Sequence, residues 1–196
     1  CLAGGVALNA VANQRIATEG PFDHVWVQPA AGDAGGALGA ALWAWHMVLG
    51  NVRTPAATFP VSLGRAWSAE KTREYLEDFR LKFEDVEERF AESVAEDLAA
   101  GKIVAWMQEG FEWGPRALGY RSILADPRSA EMKDRINRCV KFREPFRPFA
   151  PVVLERALND WFSVPDAARM MTPYMVCTVD VREDARDRIP AVTHVD

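Results

Sequence analysis

The sequence has few of the residues that build covalent or metal cross-links. Its 196 residues include only three cysteines and three histidines. The cysteines lie far apart and form no C-x-x-C pair, which excludes a disulfide framework and a structural zinc site and indicates a reduced compartment. The histidines form no H-x-x-x-H or comparable pair, so the sequence predicts no complete metal site. These residues are Cys1, Cys139, Cys177, His24, His46 and His194.

Long apolar runs are also missing. The longest, residues 37–49, contains His46 and is too short to span a bilayer. No basic region precedes an apolar stretch at the start, so no secretory signal is predicted. Hydrophobic residues make up 49% of the chain and charged residues 26%, which is enough for a packed core and argues against disorder. We therefore expect a cytoplasmic protein with no membrane partner.

The chain has a negative net charge but concentrates positive charge in one segment. Its formal net charge is −5, which argues against general nucleic-acid binding. Residues 114–147, here called the basic segment, hold nine Lys/Arg and four Asp/Glu, a difference of +5. Proline and glycine stiffen and bend this backbone, so its cations can converge on one anion. The basic segment predicts a site for a phosphate-bearing ligand, and the alternative is a solvated charged surface.

Both ends of the chain look internal to a longer protein. It opens without Met, directly on a short apolar stretch that runs into Gly4-Gly5, and it stops at residues 192–196 with no turn or helix to finish the element. We expect a piece of a larger polypeptide.

The periodicity of apolar residues predicts an α/β fold with two lobes. Glycine turns open the helices of the first lobe, and acidic amphipathic helices begin the second. The predicted helices cover residues 6–16, 37–49, two stretches within 70–97, and 130–140 with Ser129 as N-cap. The predicted strands cover residues 23–29, 102–107, an extended cationic stretch over 141–149, and 175–181, with a linker over 51–64.

Two glycine-rich turns are candidate ligand contacts. Gly4-Gly5 permits close approach of the backbone to a ligand, and Asn9 could hydrogen-bond a sugar or base. Close helix–sheet packing would explain the same glycines. Asp33, in a Gly-Asp-Ala-Gly-Gly turn, is either a metal ligand or the N-cap of the following helix.

Four ordered motifs together resemble a known family. They read GGVALN from residue 4, WVQPAAGDAGGALGAAL from residue 26, EWGPRALGYRSILADPR from residue 112 and KFREPFRPFAPVV from residue 141. In this order they resemble the O-carbamoyltransferases of the NodU/CmcH/TobZ type, and the resemblance covers nearly the whole chain. It implies that residues 1–60 are the last part of an ASKHA-type domain. Residues 61–196 would then be a truncated YrdC-like α/β domain with a twisted sheet.

The resemblance also implies a chemistry. Carbamoyl phosphate is hydrolysed to carbamate, ATP with Mg converts the carbamate to carbamoyl adenylate, and the carbamoyl group passes to the hydroxyl of a small acceptor. The implied catalytic residues are Arg116, Arg121, Lys141 and Arg143, which with Ser122 and Arg147 would hold ATP and carbamoyl phosphate. Gly4, Gly5 and Asn9 would contact the adenylate. Asp33 would be one ligand of iron or another divalent metal in the complete protein.

Three departures from the family pattern matter. Tyr120 stands where family members commonly have Asn, and residues 109–112 read EGFE where the family usually has GRME. The two histidines expected to complete the metal site would lie upstream of Cys1, so we expect the fragment to lack full activity. Two other functions fit the residues less well: an RNA-binding module that uses the basic segment with its interleaved phenylalanines, and a relative that threonylcarbamoylates tRNA.

Overall fold

The computed structural model describes residues 1–54 and 60–195, and for Glu87 the backbone alone. The chain divides into two compact units, each built from several stretches. The first unit comprises Cys1–Gly64, Gly110–Tyr120 and Ser163–Asp180, and the second comprises Arg65–Glu109, Arg121–Phe162 and Val181–Asp196. The division into family domains at residues 1–60 and 61–196 stays a prediction.

The described chain contains helices and two small two-stranded sheets, consistent with the α/β class. The α-helices are α1 (Ala10–Glu19), α2 (Asp33–Trp43), α3 (Ala69–Asp78), α4 (Phe90–Ala99), α5 (Met132–Ile136) and α6 (Leu158–Trp161). The strands are β1 (Val104–Met107), β2 (Arg121–Leu124), β3 (Phe162–Ser163) and β4 (Asp180–Val181). Wider π-turns extend α2 over Ala44–Val48 and α5 over Asn137–Lys141. Further 3-10 turns are Gly5–Leu8, Glu87–Arg89, Glu155–Ala157, Asp166–Tyr174, Glu183–Arg188 and Pro190–Val192.

The core of the first unit joins α1 to the 3-10 turn at Asp166–Tyr174. Val27, Met171 and Val176 are fully buried there. Most of the other buried residues of this core are alanines, whose small side chains let the backbones approach closely. The amide of buried Asn13 on α1 donates to the carbonyls of Ala7, at 2.7 Å, and Val176, at 2.8 Å. These bonds satisfy a polar group that would otherwise be costly to bury, and they fix the turn that precedes α1.

The second unit has a smaller core around α5. Met132 and Ile136 point inward together with Ala191, and Ile103, Ile123 and Phe149 pack against them. Strands β1 and β2 pair antiparallel, with Val104 opposite Leu124 and Met107 opposite Arg121. The guanidinium of Arg135 donates to the carbonyl of Gly101 at 2.8 Å, just beyond the end of α4.

Several predicted elements are confirmed. The helix expected over 37–49 is α2 with its π-turn, the two acidic helices are α3 and α4, and α4 is followed by Gly101 in a left-handed conformation. Strand β1 lies within the stretch predicted over 102–107. Part of the predicted linker, residues 55–59, lies outside the described residues.

Other predicted elements are wrong. Residues 23–29 make only one isolated parallel bridge, between Val27 and Leu2, and the strand over 175–181 is reduced to β4. The cationic stretch over 141–149 is a left-handed residue followed by a turn, because proline at 145 and 148 removes ladder donors. Helix α5 begins at Met132 instead of at 130, Ser129 is not its N-cap, and Val140 is exposed. No helix among the described residues is long and apolar enough to cross a membrane.

Candidate functional site

Three backbone segments of the first unit meet at the entry to α2. The amide of Gly4 donates to the carbonyl of Ala31 at 2.7 Å, and Leu2 donates to Trp26 at 2.9 Å. Gly4 has a φ of 94°, a conformation that costs glycine least, and the chain then turns through Gly5–Leu8. The turn at Gly4-Gly5 therefore lies against the segment that leads into α2, as expected if both contact one ligand.

The GPRALG turn is the third segment. Gly114 has a φ of 111°, and a Cβ added there would lie 3.1 Å from the Cβ of Ala30 and 3.3 Å from the carbonyl oxygen of Pro29. Only glycine tolerates both that conformation and that approach. The turn thus packs directly on the residues that lead into α2.

A buried carboxylate holds this turn in place. Glu112 has only 5% of its surface exposed, and its Oε1 accepts hydrogen bonds from the amides of Leu118 and Tyr120, both at 2.8 Å. The backbone on either side of Glu112 is anchored as well. Phe111 accepts from the amide of Gly64 at 2.9 Å, and Trp113 donates to Val61 at 2.8 Å.

Arg116 projects from this turn toward the glycine turn. Its Nη2 donates to the carbonyl of Leu8 at 3.0 Å. Its Nε is buried and has no hydrogen-bond partner among the described residues. Burying a guanidinium nitrogen without an acceptor costs free energy, and an oxygen of a bound molecule could accept this hydrogen bond.

Gln28 is a second polar group in this region without a partner. Neither amide atom of its side chain has a hydrogen bond among the described residues, and both are buried. A Cβ added at Gly35, in the first turn of α2, would lie 3.4 Å from its Oε1 and 2.3 Å from the carbonyl oxygen of Ala30. The glycine at 35 is therefore required by close backbone packing beside this amide.

Asn9 and Asp33 have defined positions at helix starts. The Oδ1 of Asn9 accepts from the amide of Ala12 at 3.1 Å and caps α1, which leaves its Nδ2 for another contact. Asp33 is the first residue of α2 and is exposed; Gly32 is the N-cap, so the prediction that Asp33 could be the cap is wrong. Within residues 1–54 and 60–195, no three His, Cys, Asp or Glu side chains form a group that could hold a metal. The described residues thus supply a single carboxylate and do not fit the iron site by themselves.

The second unit has a different cationic loop, residues 141–149. Asn137 is 1% exposed, and its Nδ2 donates to the carbonyls of Arg147, at 3.0 Å, and Pro145, at 3.3 Å. Its Oδ1 accepts from the Nε of Arg143 at 2.7 Å. The Nη2 of Arg143 donates to Pro148 at 3.2 Å, and its guanidinium carbon lies 4.8 Å from the centroid of the Phe149 ring. Desolvation by burial, with the nearby charge of Arg147, lowers the pKa of Arg143.

The remaining cations of this loop face outward. Lys141 and Arg147 are exposed, and the only ion pair given by Arg147 in the described structure is a long one, 4.0 Å from Glu144. Phe142 has a left-handed φ of 47° and is 84% exposed, and Phe146 is 78% exposed. Arg121 and Ser122 lie on β2, which pairs with β1.

The structure therefore sorts the predicted site residues by unit. Gly4, Gly5, Asn9, Asp33 and Arg116 belong to the first unit, and Arg121, Ser122, Lys141, Arg143 and Arg147 belong to the second. Sequence reasoning missed Gln28, Glu112 and Asn137. Gln28 and Glu112 stand inside quoted motifs and Asn137 lies between two of them, but an amide or carboxylate in such a place gives no sign that it is buried.

A turn that offers an arginine beside a glycine turn and a helix start is typical of proteins that bind phosphorylated ligands. Comparison with known families defines the class further. Residues 95–196 match the model of the carbamoyltransferase C-terminus, and residues 1–42 match that of the carbamoyltransferase N-terminus. The chain belongs to the carbamoyltransferase family, which confirms the resemblance stated above.

Curated relatives match along the whole chain. It is 44% identical over 202 residues to nodulation protein NolO of Bradyrhizobium diazoefficiens and 38% identical over 198 residues to nodulation protein U of Rhizobium tropici. It is 43% identical over 223 residues to the uncharacterized protein sll1178 of Synechocystis. All of this chain is covered in each case, against 36%, 31% and 35% of the relatives, so it spans about a third of their length.

Proposed function

We propose that this chain takes part in ATP-dependent O-carbamoyl transfer, and that its first unit holds the phosphate-bearing ligand through Arg116. The observation that carries the proposal is the buried Nε of Arg116, which has no partner among the described residues although Nη2 is fixed on Leu8. An anionic oxygen would complete this guanidinium and be held by a charge-assisted bond. The family match supplies the carbamoyl chemistry.

The proposed reaction has three steps. Carbamoyl phosphate and water give carbamate and phosphate. A carbamate oxygen then attacks the α-phosphorus of ATP, which forms carbamoyl adenylate and releases pyrophosphate. In the last step an acceptor hydroxyl attacks the carbamoyl carbon, its proton is lost, and AMP leaves. Two polyanions are handled, so fixed cations that meet the developing phosphate charge are the main requirement on the protein.

The first unit supports the adenylate part of this proposal. Gly4 and Gly5 form an exposed turn, and Asn9 keeps its Nδ2 while its Oδ1 caps α1. We assign these three residues to the adenylate and Arg116 to its phosphate. Asp33 is proposed as one metal ligand of the complete protein.

The second unit supports a carbamoyl phosphate and ATP site on the loop 141–149 and strand β2. Lys141 and Arg147 are exposed cations, and Arg121 and Ser122 add a cation and a hydroxyl from β2. Arg143 already uses Nε and Nη2 inside the loop, so a phosphate contact by this residue would draw on Nη1. We assign it both to this contact and to holding the loop. We further propose that residues 1–60 end an ASKHA-type domain and that residues 61–196 form a truncated YrdC-like domain, so Arg116 of the first unit falls in the second of these domains.

Calorimetric titration of the chain with MgATP and then with carbamoyl phosphate tests the proposal. We expect saturable ATP binding whose contribution from the first unit is weakened about tenfold or more in Arg116→Ala, since a bond to a charged group contributes roughly 1.5–3 kcal/mol. Arg15→Ala is the matched control, because Arg15 is an exposed arginine of the same unit that pairs with Glu19. Wild-type ATP affinity in Arg116→Ala would refute the assignment.

For the second unit, Lys141→Ala should weaken carbamoyl phosphate binding. Arg182→Ala is its control, since Arg182 is a surface cation of the same unit that pairs with Asp184. Equal loss in both variants would show a general charge effect and would count against a site at Lys141.

The exposed rings of Phe142 and Phe146 beside Lys141 and Arg147 favour a second candidate, binding of single-stranded RNA by stacking and phosphate contact. A fluorescent RNA oligonucleotide would test it at two salt concentrations. Tight binding that collapses with salt and is lost in Phe142→Ala would support the RNA-binding module, because contact with many phosphates releases many counterions. Absence of such binding would count against the RNA-binding module and favour carbamoyl transfer.

A further inference from the structure

We propose that Glu112 is a positioning residue, which holds the GPRALG turn so that Arg116 reaches the phosphate-bearing ligand of the first unit. The inference rests on the proposed function, because it concerns how Arg116 is presented. It begins from the burial of Glu112, which is 5% exposed although it carries a carboxylate. Such a group is kept in a protein interior only where hydrogen bonds compensate its lost hydration.

The carboxylate is compensated by the turn itself. Oε1 of Glu112 accepts from Leu118 and from Tyr120, both at 2.8 Å. These amides lie on either side of Gly119, whose φ is 101°. One oxygen therefore fixes the returning arm of the turn across its glycine, and charge-assisted bonds of this type are stronger than bonds between neutral groups.

The outgoing arm is fixed by packing. Gly114 lies against Ala30 and Pro29, so close that a Cβ would be 3.1 Å from the nearest atom. Arg116 stands between the two fixed arms, with Nη2 on the carbonyl of Leu8 and with a buried Nε that no described residue accepts from. If Glu112 is lost, the arm after Arg116 is released. The guanidinium would then spend less time at the position where Nε meets a ligand oxygen.

This role differs from a purely structural one. Glu112 bonds to the turn through its carboxylate, at the amides of Leu118 and Tyr120. We expect changes at residue 112 to act on ligand affinity through Arg116, with the hydrophobic core around Val27, Met171 and Val176 still folded. Glu112→Gln keeps the length of the side chain and one acceptor oxygen but removes the charge, and Glu112→Ala removes the acceptor.

The test is a double-mutant cycle on the 196-residue chain, with MgATP as the calorimetric probe and circular dichroism to follow folding. We expect about a tenfold loss of ATP affinity in Glu112→Ala, a smaller loss in Glu112→Gln, and little additional loss when Arg116→Ala is combined with Glu112→Ala. Met171→Ala is the control for stability, since it opens a cavity in the same unit without touching the turn and should keep the ATP affinity of the folded chain.

The outcomes separate the two claims. If Arg116→Ala itself keeps wild-type affinity, the proposed function fails together with this inference. If Arg116→Ala weakens binding but the Glu112 variants do not, or if their losses simply add, only the positioning role is overturned. Failure of both Glu112 variants to fold would also overturn it, because Glu112 would then be required by the core.

Discussion

The two units carry their cationic loops on buried polar side chains, but of opposite kinds. In the first unit the support is the carboxylate of Glu112, which accepts two backbone amides. In the second unit it is the amide of Asn137, which donates to two backbone carbonyls and accepts from Arg143. Both side chains are nearly inaccessible, at 5% and 1% exposure.

The difference lies in what the arginine does. Arg116 makes one bond to the protein through Nη2, and its buried Nε has no partner among the described residues. Arg143 uses Nε and Nη2 within its own loop and stacks on Phe149. Two arginines of one basic segment therefore differ in their bonding. Arg143 helps to hold its loop, and we propose that Arg116 keeps a donor for a ligand oxygen.

The largest expected effect is on the stability of the second unit, whose cationic loop is held by Asn137. Asn137→Ala removes three hydrogen bonds and leaves the carbonyls of Pro145 and Arg147 without their donor, so we expect a loss of about 2–4 kcal/mol in the free energy of unfolding. Urea titration measures it. Asn159→Ala, at an exposed position on α6, is the control and should change stability by less than about 0.5 kcal/mol. Equal effects of the two variants would show that Asn137 does not support the loop.

A smaller effect is expected from Arg143→Ala, in which the loop loses two hydrogen bonds and a ring contact. We expect a loss of roughly 1–3 kcal/mol in the free energy of unfolding. Arg143→Lys should recover little of it, because an ammonium does not reproduce the planar fork or the stacking. Arg138→Ala, at an exposed position in the π-turn that precedes the loop, is the control. Full recovery by lysine would mean that charge alone is needed at residue 143.

The sequence predicts turns and helices better than it predicts contacts between distant residues. The glycines of GGVALN and GPRALG were assigned to turns, and Gly4, Gly114 and Gly119 do have positive φ. The acidic helices and α2 followed from period and composition, which depend on local chain alone. Such features are readable because a single residue type or a regular spacing specifies them.

What could not be read are the contacts between distant stretches. Arg116 meets Leu8, which is 108 residues away, and the two neighbours of Glu112 bond to Gly64 and Val61, in a distant stretch of the chain. The alternation of cations and phenylalanines over 141–149 favoured a strand, but Phe142 is left-handed and the prolines leave no ladder to pair. Asn137 looked like an ordinary helix residue, since burial and carbonyl partners depend on the tertiary structure.

The smallest expected effect is on the reactivity of the cysteines, which lie in different units and so report on each unit separately. Burial raises the pKa of the Cys177 thiol in the first unit to about 11, whereas Cys139 in the second unit is exposed. At pH 8 we expect iodoacetamide to label Cys139 and Cys1 first and Cys177 only when the first unit opens, as mass spectrometry would show. Rapid labelling of Cys177 in the folded chain would contradict its burial.

The same thiol predicts a pH dependence. Its folded pKa lies above the unfolded value of about 8.5, so its contribution to stability is complete below that pH and is lost as the pH rises through about 11. Urea midpoints between these pH values should fall less in Cys177→Ala than in the unchanged chain. Parallel curves for the two would remove Cys177 as the cause.

The central claim is that Arg116 is poised for a phosphate-bearing ligand whereas Arg143 is also part of its loop's framework. ATP affinity and unfolding free energy, measured side by side for Arg116→Ala and Arg143→Ala, test it most directly. We expect Arg116→Ala to lose about tenfold or more in affinity with a stability change below about 1 kcal/mol, since Nε is a buried donor without an acceptor among the described residues. Arg143→Ala should lose more in unfolding free energy than Arg116→Ala does. Wild-type ATP affinity in Arg116→Ala, or a larger stability loss there than in Arg143→Ala, would contradict it.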